Sequence, residues 1–163
     1  MTDLPDGATV LIGNPIHDLL VVPLRRIPDE RGTILHMLRR DDPHFREFGE
    51  IYFTTIHHGV VKGWHEHADM TLNYACVHGR VKIVVFDPRP ESPTQGSLVE
   101  ILLGPDNHSL VVIPPGLRNG MKGLSSPFAL IANCATHVHD ANRTTRHDPF
   151  GDSVPYGWDV RQH

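Results

Sequence analysis

Turn-forming residues recur along this chain too closely for helices of ordinary length to fit between them. Gly79-Arg80, Pro88-Arg89-Pro90, Ser92-Pro93-Thr94-Gln95-Gly96, Gly104-Pro105-Asp106-Asn107 and Pro114-Pro115-Gly116 leave only short apolar runs in between. Those runs, at 60–67, 71–77, 81–87, 98–103, 109–113 and 128–135, have the length of strands. Ahead of them, residues 50–57 alternate Ile51, Phe53 and Thr55 with Tyr52, Thr54 and Ile56, a strand with two usable faces. There is no Gly-rich strand-to-helix turn of a nucleotide fold and no internal repeat. Many short strands joined by such turns predict an all-β protein, an antiparallel sandwich or barrel.

The N-terminal part is less regular. Residues 1–18 read as an arm, an edge strand or both, and 21–28 are extended because Pro23 and Pro28 exclude a helix. Asp29-Glu30-Arg31-Gly32 is a turn, 33–38 the strand that leaves it, and 41–48 one short helical turn. At 163 residues the chain predicts a single domain, 1–163. A formal net charge of -4 gives no electrostatic reason to expect nucleic acid or an anionic membrane, so an anionic ligand must be met by local basic residues. Without a basic-then-apolar leader or an apolar run near about 18 residues, the expectation is a soluble cytoplasmic protein. Cys76 and Cys134 lie in apolar runs, where free cysteine behaves as a small hydrophobe.

The chemistry concentrates in Gly63-Trp64-His65-Glu66-His67 and the run that follows, to Tyr74. Successive strand residues alternate faces, so His65 and His67 point the same way, about 6–7 Å apart. Two imidazoles on an interior face each need a hydrogen-bonding partner, which suggests a site. Chance pairing among 13 histidines is the plainer alternative. Trp64 falls on the other face as packing, and strict alternation puts Lys62 there too. Asn73, on one face with Thr71, is either a satisfied core amide or a hydrogen-bonding group for the hydroxyls of a ligand.

Several stretches, in order and spacing, resemble the dTDP-4-dehydrorhamnose 3,5-epimerases. They are Asp29-Glu30-Arg31-Gly32, Gly59-Val60-Val61-Lys62-Gly63-Trp64-His65, Asp87-Pro88-Arg89 through Ser92-Pro93-Thr94-Gln95-Gly96, Pro114-Pro115-Gly116-Leu117-Arg118-Asn119-Gly120 and His147-Asp148-Pro149. The resemblance implies a cupin jelly-roll barrel with an N-terminal arm, a homodimer, and a nucleotide-linked 4-keto sugar in the barrel. It also implies that His65 is the base that removes a proton alpha to the ketone, with His139 where the family has its tyrosine acid. Arg31 would reach across the dimer to the nucleotide, and Lys62 replaces an arginine that contacts substrate or phosphate. His67, Asn73, Arg118 and Asn119 complete the expected binding set, with Lys122 as a further cation near the mouth.

The departures are specific. Leu72, between Thr71 and Asn73, stands where the family has an enolate-stabilising lysine, and Asn119 replaces a histidine. The family's Gln-x-Asn-x-Ser strand is Glu50-Ile51-Tyr52-Phe53-Thr54 here, and the aspartate that partners the base has no counterpart, unless Asp140 or Asp148 takes its place. Proton transfer by His65 and His139 needs no cofactor. One alternative is a cupin that binds a divalent metal through His65 and His67, although the usual carboxylate position holds Thr71. Another is a non-catalytic carbohydrate-binding cupin.

Overall fold

The computed structural model describes residues 10–160, so the first nine residues of the expected arm lie outside it. Thirteen strands and one short 3-10 turn, 141–143, make up the regular structure. One sheet has six strands, in the order β1 (Val10–Gly13), β9 (Leu98–Leu103), β8 (Val81–Phe86), β11 (Arg118–Gly123), β6 (Val61–His67) and β13 (Thr144–Arg146). A second has five, in the order β2 (Leu20–Pro23), β10 (Ser109–Ile113), β7 (Leu72–His78), β12 (Phe128–Ala135) and β5 (Glu50–His57). The hairpin of β3 (Arg26–Asp29) and β4 (Gly32–Leu35) stands apart from both. Every strand pairing is antiparallel, and the two large sheets face each other as a cupin jelly roll. Among the described residues no helix is long and apolar enough to cross a membrane.

The core lies between the two sheets. Ile83, Val85, Ile101 and Met121 come from the six-stranded sheet, and Leu72, Tyr74, Ile113 and Ile131 from the five-stranded one. Tyr52 and Thr54 share a face of β5 with buried Ile56, so they too look into the sandwich, although β5 is an edge strand. A second apolar cluster covers the outside of the six-stranded sheet, where Trp64 is fully buried against Val84, Val154 and Trp158. Trp64 and Trp158 have ring centroids 5.0 Å apart. Trp64 is packing, as alternation predicted, and it fixes which side of β6 looks inward.

Several expectations are corrected. Residues 41–44 form turns and a bend and 45–48 are irregular, with no helix, and the strand expected over 33–38 ends at Leu35. The extended stretch 21–28 is two strands that break after Pro23. Two strands went unanticipated: β11 follows the Pro-Pro-Gly turn with two glycines of its own, and β13 has only three residues.

The most consequential correction is at β6. Asn119 pairs with His65 but Met121 pairs with Lys62, so Gly63 and Trp64 together oppose Gly120. This bulge reverses the parity of the strand, and Lys62 joins His65 on the inner side instead of pointing away. The backbones meet closely there: a Cβ on Gly63 would lie 2.8 Å from Gly120 Cα. Glycine at both positions is what lets the bulge form.

Candidate active site

One end of the sandwich interior is a pocket bounded by both sheets. From the six-stranded sheet come Lys62, His65 and His67 of β6, Met121 of β11, and Thr144 and Arg146 of β13. Across from them stand Tyr52 and Thr54 of β5 and Tyr74 of β7, with His139 at the rim beyond β12. Glu66, between the two histidines, points out of the pocket and accepts from Arg118 Nε at 2.8 Å. The alternation read from the sequence therefore holds for His65 and His67.

Electrostatics favour the neutral form of both histidines. Burial, then the charges of Arg146, Lys62 and His139, push the His65 imidazole below its ordinary value. His67 falls to about 4, chiefly through burial and then through His65 and His139, against a small opposing pull from Asp69. Its Nδ1 stands 3.1 Å from Thr144 Oγ1. Among the described residues no carboxylate supports His65: Asp140 and Asp148 are turned to the backbone N–H groups of Asn142 and Phe150, each at 2.9 Å. A neutral, uncompensated imidazole facing cations is suited to accept a proton and poorly suited to hold one already.

Lys62 Nζ donates to Thr54 Oγ1 at 2.9 Å and to the Thr55 carbonyl at 2.7 Å, which ties β6 to the edge strand. Arg146 sits opposite His65 in the β13–β6 pairing, and no carboxylate pairs with it among the described residues. It was missed in the sequence because a three-residue strand in polar surroundings leaves no periodic signal. Tyr52 and Tyr74 were missed as site residues for a different reason: aromatic residues in apolar strands read as core.

Other expected binding residues lie elsewhere. Asn73 shares the outer side of β7 with Ala75, and its Nδ2 donates to the Cys134 carbonyl at 2.8 Å, so it is a core amide and not a sugar contact. Arg118 is held by Glu66 and by the Ser153 carbonyl at 2.8 Å, on the side of β11 covered by the C-terminal stretch. Lys122 donates to the Trp158 carbonyl at 2.8 Å on that same side. Asn119 faces inward, and its Nδ2 donates to the His65 carbonyl at 3.2 Å, steadying the strand that carries the base. Arg31 is exposed on the β3–β4 turn and paired with Asp29, outside the pocket of its own chain.

A divalent metal does not fit this donor set. His65 and His67 have no carboxylate on the pocket lining, while Lys62 and Arg146 bring two positive charges to it. Among the described residues no three His, Cys, Asp or Glu side chains group as ligands.

An antiparallel jelly roll whose interior ends in a pocket lined by paired histidines and two cations is a cupin barrel with a polar pocket at its end. The chain belongs to the dTDP-4-dehydrorhamnose 3,5-epimerase family, whose model it matches over residues 14–152. A probable low-salt glycan biosynthesis epimerase of Haloferax volcanii is 30% identical to it over 143 residues, covering 86% of this chain and 88% of that one. The dTDP-4-dehydrorhamnose 3,5-epimerase of Escherichia coli is 30% identical over 124 residues, covering 71% of this chain and 66% of its own length. Among solved structures, a dTDP sugar isomerase from Desulfovibrio desulfuricans superposes with a TM-score of 0.86 at 38% identity, over 93% of this chain and 95% of that one.

Proposed function

We propose that the protein is an epimerase or isomerase of a nucleotide-activated keto sugar, in which His65 removes the proton alpha to the ketone and His139 returns one from the other side. The observation that supports this most is the setting of His65. It is kept neutral by burial and by Arg146 and Lys62, and the second histidine of the pair stands on the same pocket. A neutral base can take the proton at once, and the same cations favour the negative charge that then develops on the enolate. Side chains alone carry such chemistry, and it calls for no cofactor. The test is incubation in deuterated water with nucleotide-linked 4-keto sugars. Deuterium entering the carbon next to the ketone supports the reading, and a panel in which none exchanges removes it.

A nucleotide diphosphate brings negative charge to an acidic protein, so local cations must hold it. With Arg118 and Lys122 engaged on the outside of the sheet, Arg146 is the candidate in the pocket. Arg146→Ala is expected to weaken dTDP binding by about 1.5–3 kcal/mol if the guanidinium makes a charge-assisted bond, measured by calorimetry. Unchanged affinity would place the phosphates elsewhere.

The family's homodimer suits the exposed elements of this chain. The β3–β4 hairpin pairs with neither large sheet and exposes Ile34, and Arg31 at its tip, outside the pocket of its own chain, would meet a nucleotide in a partner's pocket. Sedimentation is expected to show a dimer at micromolar concentration, and a monomer there would remove Arg31 from the site.

A further inference from the structure

Opposite the histidines, the inner face of the five-stranded sheet carries a row of three polar residues on adjacent strands. Asn133 of β12 is in register with Tyr52 of β5 on one side and with Tyr74 of β7 on the other. The Asn133 amide is oriented without ambiguity: Oδ1 accepts the backbone N–H of Asn73 at 3.0 Å, a group that can only donate. Nδ2 is therefore the end that meets Tyr52, donating to its hydroxyl oxygen at 3.0 Å. The Tyr52 hydroxyl accepts from Asn133 and keeps its own hydrogen, and among the described residues neither it nor the Tyr74 hydroxyl donates to a protein acceptor. Both tyrosines line the pocket, so each can turn an O–H toward it.

We infer that the Tyr52–Tyr74 pair donates an O–H hydrogen to the ketone oxygen of the substrate and holds the enolate formed there, in place of the lysine that the sequence lacks at Leu72. The inference rests on the proposed function of His65. His65 is on the six-stranded sheet and the tyrosines are on the five-stranded one, so base and oxyanion donor approach the sugar from opposite walls. In the step, His65 takes the proton from carbon and the C–H electrons become the carbon–carbon double bond of the enolate. The charge on oxygen is met by the O–H, which keeps its proton. Tyr74 is suited to that role: burial, then Tyr52, hold its phenol well above the ordinary value. Asn133 acts through Tyr52 and is a positioning residue.

Tyr52→Phe and Tyr74→Phe test this, with dTDP-4-keto-6-deoxyglucose in deuterated water as the probe. Loss of an oxyanion donor of this kind lowers turnover about 10²–10³-fold. That loss is expected in kcat, with dTDP affinity unchanged by calorimetry. With both hydroxyls removed no donor is left on this wall, and the double variant is expected to be at least as slow as the slower single variant. A melting temperature lowered with exchange kept within about twofold of the parent would mean a structural pair and overturn the inference. If the phenylalanine variants exchange normally while His65→Ala does not, the inference fails and the proposed function stands. If the parent exchanges nothing, both fail.

Discussion

Replacing His65 by Ala is expected to abolish solvent-deuterium exchange, a loss of about 10²–10⁴-fold for a positioned base, equivalent to about 3–5 kcal/mol of activation free energy. No neighbour can take over. His67 shares its face but bonds Thr144 through Nδ1, and with a pKa of about 4 it is a weaker base. The pH profile carries the second half of the expectation. Because His65 is held below its ordinary value, its neutral form persists into mild acid, and the acidic limb of activity is expected below about pH 6.5. His139→Tyr places at that position a phenol, an acid that keeps its proton to about pH 10, and is expected to extend the alkaline limb. Exchange undiminished in His65→Ala, or a His139→Phe enzyme as fast as the parent, would show that the proton-transfer pair is wrongly assigned.

The sandwich was legible because its turns are written in Pro and Gly and because apolar strands of the interior need no other signal. His65 and His67 were legible for the same reason, since alternation within a regular strand is a local property. What the sequence hid is what depends on two strands at once. Lys62 enters the pocket only because Gly63 and Gly120 let β6 bulge against β11, and a parity change of that kind has no mark in β6 alone. The side chosen by Arg118 and Lys122 depends on where Ser153 and Trp158 dock, and Arg146 becomes a site residue only when a three-residue strand adds itself beside His65. Tyr52 and Tyr74, far from each other in the chain, come to one wall of the pocket because Asn133, on the strand between them, is in register with both.

Asp87→Ala is expected to destabilise the fold by about 3–5 kcal/mol, the range for removing one partner of a buried ion pair. The carboxylate is fully buried at the end of β8, where the chain leaves for the Ser92-Pro93-Thr94 turn. Oδ1 accepts from the Arg89 backbone at 3.1 Å and from Arg89 Nε at 2.8 Å, while Oδ2 accepts from Ser92 Oγ at 2.6 Å and Thr94 Oγ1 at 2.8 Å. The same cluster holds the N-terminal segment, since Arg89 donates to the His17 carbonyl at 2.9 Å and the His17 N–H donates to Thr94 Oγ1 at 2.9 Å. Alanine would therefore leave the Arg89 charge only the more distant Asp18 carboxylate, 4.0 Å away, and loosen residues that lead into β2. Burial by itself would raise the pKa of Asp87, but the bonds from Arg89, Ser92 and Thr94 outweigh it and hold the carboxyl well below the usual carboxylate range. A folded value below the unfolded one means that the stabilisation is complete above about pH 4 and is lost as the pH falls toward the folded value. Urea unfolding at pH 7 and at pH 3 checks both halves. The parent is expected to lose stability between the two, and the difference between parent and Asp87→Asn to shrink at the lower pH. A variant as stable as the parent at pH 7 would mean that Arg89, Ser92 and Thr94 order this turn without the carboxylate.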